Sequence, residues 1–195
     1  MEALSFDPTR SAVLSMDYQS AIVSIYAMDQ EELLARAAAV LQRARLSGVT
    51  VIHVKVGFRP GLPEVSPRNL LLGGIKASAK HRRLFEAAAG SIHPAVAPEG
   101  ADIVITKSRV NAFSGTDLDL ILRAKDIDTL ILFGIATSGV VLSTMLHAAD
   151  SDYRLYVIKD CCADLDQVAH SCLLERMFPR QATVLTSGEF LNALG

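Results

Sequence analysis

Gly134-Ile135-Ala136-Thr137-Ser138-Gly139-Val140-Val141-Leu142-Ser143-Thr144 follows the apolar run 129–133 and leads into a second apolar stretch that ends at Ala149. A strand that breaks at a glycine and resumes as a helix is the building unit of a parallel α/β sheet. The glycine spacing from Gly134 to Gly139 superficially matches a phosphate loop. Val140-Val141 stands where that loop needs Lys-Ser/Thr, so the phosphate-loop reading is rejected. The turn then has two readings. It is either tight strand-to-helix packing, or a set of exposed amides at a helix start that can receive an anion or a developing oxyanion.

The same alternation extends in both directions. Residues 11–16 read as a first strand ending at Asp17. A helix is expected over 30–47, with Leu33, Leu34, Ala37, Val40 and Leu41 at helical spacing and Gly48 at the C-terminal cap. Strands follow at 49–56, 103–106, 129–133, 155–158 and 183–185, and helices at 80–89, 116–124, 138–149 and 166–177. Thr186-x-x-Glu189 is a capping box for a last helix. The stretch 57–78, rich in Gly and Pro, reads as a long loop, and such loops commonly carry function. The expected fold is α/β: one three-layer Rossmann-like domain over 1–195, with a central, mainly parallel six-stranded sheet and helices on both faces.

Composition narrows the partners. The chain has 195 residues, half of them hydrophobic, and a net charge of -2, with basic residues scattered. No footprint for nucleic acid or an anionic membrane is expected, which leaves a small-molecule substrate or a protein. Met1 to Pro8 lacks the basic start and apolar run of a signal peptide, and no apolar stretch approaches the ~18 residues of a membrane helix. A cytoplasmic protein is expected. Cys161, Cys162 and Cys172 have no metal-like spacing and read as buried thiols.

In open α/β sheets ligands bind beyond the carboxyl ends of the strands. Three strand ends carry candidates: Asp17, Lys107, and the turn from Gly134 to Val140. Alone, Asp17 is more often a cap or loop residue and Lys107 a solvated end-of-strand charge. As a pair they are informative, because a lysine that reaches a buried carboxylate can hold it ionised or take part in proton transfer. Gln19, the loop at Phe58 and Arg59, Arg109 and Phe113 are candidate pocket walls, a flat apolar slot beside a cation that suits a small carboxylate or an aromatic ring. Arg59 and Arg109 can equally be surface partners of acids.

These features together resemble the isochorismatase-like cysteine hydrolases. The segment at 134–144 matches their Gly-x-x-Thr-x-x-Cys-Val-x-x-Thr motif at Gly134, Thr137, Val141 and Thr144, with Val140 in the nucleophile's place. Asn111-Ala112-Phe113 followed by Gly115-Thr116-Asp117-Leu118 also resembles a family stretch. The resemblance implies that Asp17 is the catalytic aspartate and Lys107 the catalytic lysine. It implies further that Ile135-Ala136 is a cis peptide beside an oxyanion site, with Thr137 and Gly139 around it, while Ser138 is a candidate substrate-binding residue. It implies a homo-oligomer, a dimer or tetramer.

Family members divide into amidases, which need the thiol, and isochorismatases, which cleave a vinyl ether and do not. The phenazine-pathway isochorismatase resembles this chain in lacking the cysteine while keeping the aspartate and lysine. The expected function is therefore hydrolysis of a small organic molecule through Asp17 and Lys107 without a cysteine nucleophile. The alternatives are a degenerate binding protein, or an amidase using Ser138, Ser143, Cys161 or Cys162. Nicotinamidases place an Asp-x-His and a further His near the second strand. Here His53 lies within that strand as a core histidine and no such pair exists, so neither a metal nor a cofactor is expected.

Overall fold

The computed structural model describes residues 6–79, 81–82 and 90–194. Its sheet has six strands in the order β3-β2-β1-β4-β5-β6: β1 (Ser11–Met16), β2 (Thr50–Val56), β3 (Ile103–Lys107), β4 (Thr129–Gly134), β5 (Arg154–Ile158) and β6 (Thr183–Leu185). Every pairing is parallel. All six residues of β1 and all six of β4 are buried, because helices cover both faces of the middle of the sheet. The edge strand β3 instead leaves Val104 and Thr106 exposed.

The helices are α1 (Ser20–Tyr26), α2 (Gln30–Leu46), α3 (Leu70–Ala77), α4 (Leu118–Ala124), α5 (Leu142–Ala149), α6 (Gln167–Cys172) and α7 (Ser187–Ala193). In α2 the Asp29 side chain accepts the Glu32 amide at the start, Leu33, Leu34, Ala37, Val40, Leu41 and Ala44 are buried, and Gly48 leaves with φ 78°. The capping box at Thr186 and Glu189 is formed in both directions. No helix among the described residues is long and apolar enough to cross a membrane.

The structure departs from the sequence expectations in three places. The stretch expected as a loop over 57–78 contains α3, capped by Asn69, whose side chain accepts the Leu72 amide. Gly73-Gly74 in its middle suppresses the helical signal, and burial of Leu72 restores the helix. Helix α1 was not anticipated, because seven residues with only Ile22 and Val23 buried carry too little periodicity. Third, the turn Thr137–Val141 has π-helical hydrogen bonding before α5 begins at Leu142, and α6 ends in another such turn, Leu173–Met177. The helix expected over 80–89 lies outside the described residues except for 81 and 82, which are helical.

Candidate active site

The strand order reverses direction between β1 and β4, and the crevice beyond their carboxyl ends is where such sheets bind ligands. Gly134 sets its width. A Cβ there would lie 2.6 Å from the Met16 carbonyl oxygen and 2.9 Å from Met16 Cβ, so only glycine lets β4 close on the end of β1. The next amide, Ile135 N, donates to that same carbonyl at 3.1 Å, and the Ile135-Ala136 peptide is cis. The turn carrying Ala136, Gly139 and Val140 thereby lies against Asp17.

Asp17 leaves β1 with φ 59°, while its amide still donates to Val54 O at 2.8 Å. Lys107 ends β3, two strands away, and is long enough to cross β2. Its Nζ donates to Asp17 Oδ2 at 2.8 Å and to Arg109 O at 3.1 Å. Lys107 is 2% exposed and Asp17 6%. Asp17 Oδ1 is buried with no hydrogen-bond partner among the described residues. Burial pushes the Asp17 carboxyl above its ordinary range, against the opposing pull of the Lys107 ammonium.

The pair opens on a pocket of about 130 Å³. Ile22 and Tyr26 of α1, Val56, and Leu71, Leu72 and Ile75 of α3 form its upper walls; Val110, Ile135, Ala136, Gly139 and Val140 form the rest, with Arg109 at the rim. Of the residues singled out in the sequence, Asp17, Lys107, Arg109, Ile135, Ala136, Gly139 and Val140 meet here. The walls contributed by α1 and α3 were missed. The signal for α3 was the apolar Leu70, Leu71, Leu72 and Ile75, which belong to one short helix once the two glycines are discounted.

The other candidates do not line this pocket. Gln19 spends its amide on the backbone of β2, donating to Val56 O at 3.0 Å and accepting from Val56 N at 2.7 Å. Thr137 Oγ1 lies 2.8 Å from His170 Nδ1. Ser138 donates to Asp164 Oδ2 through its amide at 2.7 Å and its hydroxyl at 2.6 Å. Phe113 stacks on His147 with centroids 4.4 Å apart. Phe58 and Arg59 face a separate groove that Arg109 also lines.

None of the candidates for a relocated nucleophile, Ser138, Ser143, Cys161 and Cys162, lines the pocket. Burial pushes the Cys161 thiol well up and the Cys162 thiol to about 12. Cys172, expected to be buried, is exposed, because it lies on the outer side of α6. The Ser143 hydroxyl donates back to Gly139 O at 2.8 Å, one turn earlier. Among the described residues no cluster of three or more His, Cys, Asp or Glu could hold a metal. His53 is fully buried, with Nε2 3.1 Å from Asp102 Oδ2.

A family model described as the isochorismatase domain matches residues 11–189. The chain belongs to the isochorismatase family. It is 29% identical over 188 residues to the phenazine biosynthesis protein PhzD of Pseudomonas fluorescens, covering 94% of this chain and 86% of that one. It is 25% identical over 192 residues to the maleamate amidohydrolase of Pseudomonas putida KT2440, covering 95% and 87%. Among solved structures, an isochorismatase family protein from Burkholderia thailandensis superposes with a TM-score of 0.82 at 27% identity, covering 97% of each chain.

Proposed function

We propose that this isochorismatase-family protein is a hydrolase of a small organic vinyl ether or a related substrate, with Asp17 as proton donor and Lys107 as its partner. In this reading Val140 holds the place of the family's cysteine nucleophile. The observation that carries it is the unshared oxygen of Asp17. One carboxylate oxygen is taken by Lys107, while Oδ1 is buried, unpartnered among the described residues, and part of a wall that carries no thiol or aliphatic hydroxyl.

Vinyl-ether hydrolysis needs such an acid and no nucleophilic side chain. The carboxylic acid gives its proton to the terminal alkene carbon, whose π pair forms the new C–H bond. The ether oxygen shares the resulting positive charge. Water then adds to the cationic carbon and returns a proton to the Asp17 carboxylate, and the hemiketal collapses to a carbonyl compound and an alcohol. The apolar walls Ile22, Val56, Leu72 and Val140 keep bulk water off the pair, and burial raises the proton affinity of Asp17. Lys107, held in place by Arg109 O, stabilises the carboxylate once the proton has left.

Acyl transfer finds no comparable support, since the thiols of Cys161 and Cys162 and the hydroxyls of Ser138 and Ser143 are all outside the pocket. The test is product detection by mass spectrometry with isochorismate and a panel of small amides. Turnover of isochorismate that falls by about 10²- to 10⁴-fold in Asp17→Asn, the usual weight of a general acid, is expected. The rate should fall as pH rises through the elevated Asp17 pKa, because the acid form is the active one. Amide turnover, or a rate unchanged in Asp17→Asn, would overturn the reading.

A further inference from the structure

A groove of about 720 Å³ lies beside the apolar pocket and shares Arg109 with it. Its chemistry is the opposite of the pocket's. Phe58, Arg59, Glu64, Ser108, Arg109 and Ser114 line it, which places two guanidinium groups against a single carboxylate. Arg59 Nη1 donates to Glu64 Oε1 at 2.7 Å. Arg109 donates to Ser108 O at 2.6 Å and to Glu64 O at 3.0 Å, which uses two of its five N–H donors.

The acid is not an ordinary solvated surface partner. The Glu64 side chain is 15% exposed, against 78% for Arg59. Its Oε2 is buried without a hydrogen-bond partner among the described residues. An acceptor in that position can receive a donor brought by a ligand, and the spare guanidinium N–H groups of Arg59 and Arg109 can receive an acceptor from it.

We propose that this groove is a second ligand site, which takes a small carboxylate bearing a hydroxyl or amino group. The carboxylate binds between Arg59 and Arg109, and the O–H or N–H donor reaches Glu64 Oε2. Planar guanidinium groups suit a carboxylate because two N–H donors match its two oxygens. Arg109 joins this site to the reactive pair, since its guanidinium lines the groove while its carbonyl accepts from Lys107 Nζ at 3.1 Å. The carboxylate is either the distal end of the substrate or a separate small molecule.

Calorimetric titration of the full chain with L-malate, and with succinate as the analogue lacking the hydroxyl, tests the site without any turnover. Malate is expected to bind several-fold more tightly than succinate. Arg59→Gln, a change at an exposed side chain that leaves the fold intact, should weaken malate about tenfold, the loss expected of one charge-assisted contact. Glu64→Gln should remove the preference for malate. Asp17→Asn should leave malate binding unchanged, so failure of the proposed chemistry and failure of this site are told apart. If malate competes with a turned-over substrate, the groove holds the substrate's own carboxylate; if it alters the rate without competing, the ligand is a separate molecule. Absence of saturable malate binding, or binding lost in Asp17→Asn but intact in Arg59→Gln, would overturn the proposal.

Discussion

At Gly134 one absent carbon fixes how closely β4 approaches β1, and with it the distance from the Val140 turn to Asp17. A methyl group at this position would sit 2.6 Å from a backbone oxygen, where no side chain can rotate away to relieve it. Gly134→Ala is therefore expected to cost about 3 kcal/mol, at the upper end of ordinary overpacking. It should lower the urea midpoint while leaving the secondary structure in place. A cost near zero would show that the two strand ends can part, and would undo the account of how the pocket is set. The glycine, Asp17 and Lys107 were all legible in the sequence, since each ends an apolar run and strand ends are where polar side chains meet. Gln19 was misread by position. It follows Asp17 closely, but the free edge of backbone at Val56 takes its amide, and sequence does not reveal which polar groups the backbone will claim.

Among the elements, α2, β2 and the lead into β3 are tied together by one carboxylate at the opposite end of the sheet. Asp102 Oδ2 accepts from Arg45 Nη2 of α2 at 2.6 Å and from the Glu99 amide at 2.9 Å, and lies 3.1 Å from His53 Nε2 of β2. Burial works against the Asp102 carboxylate, yet Arg45, Glu99 N and His53 together hold its pKa below the ordinary value. His53 Nδ1 is buried and unpartnered among the described residues. Burial dominates at His53 and holds its pKa below 6.5, against the pull of Asp102. The unfolded chain therefore takes up this proton first as pH falls, and the stability contribution present above about pH 6.5 is lost below it. The slope is at most that of one proton, about 1.4 kcal/mol per pH unit. Urea unfolding between about pH 7 and about pH 5 should show this loss, and His53→Gln should flatten it; an unchanged slope would mean that another group titrates there. The core role of His53 could be read from its place on an apolar strand, but the long-range meeting with Asp102 and Arg45 could not. The pocket's α3 wall was hidden for a different reason: two central glycines outweigh four apolar residues in any local reading, and only tertiary burial of Leu72 decides the matter.

In the whole molecule, six parallel strands in the order β3-β2-β1-β4-β5-β6 bring the ends of β1, β3 and β4 together, and that arrangement is indifferent to which chemistry is performed there. The strands were legible because buried parallel strands are near-continuous apolar runs. The groove was not, because it is built by a loop folding back on Arg109. If the chemistry resides in the residues rather than in the frame, placing a thiol at position 140 should confer nucleophilic reactivity. Val140 is 2% exposed and lines the pocket, so Val140→Cys changes little volume and should cost only about 1 kcal/mol. It would place sulfur in a pocket that already holds the Lys107 ammonium, which favours a thiolate, and the Asp17 carboxylate, which can take the thiol proton. Native Cys161 and Cys162 are buried with raised pKa values, and exposed Cys172 can be removed as Cys172→Ser. In that background, Val140→Cys is expected to form a covalent adduct with an electrophilic amide analogue, seen by intact mass, while Cys172→Ser alone forms none. A Val140→Cys protein that folds and stays unmodified would mean that the turn does not present this position to an acyl group, and Val140 would then be a packing residue only.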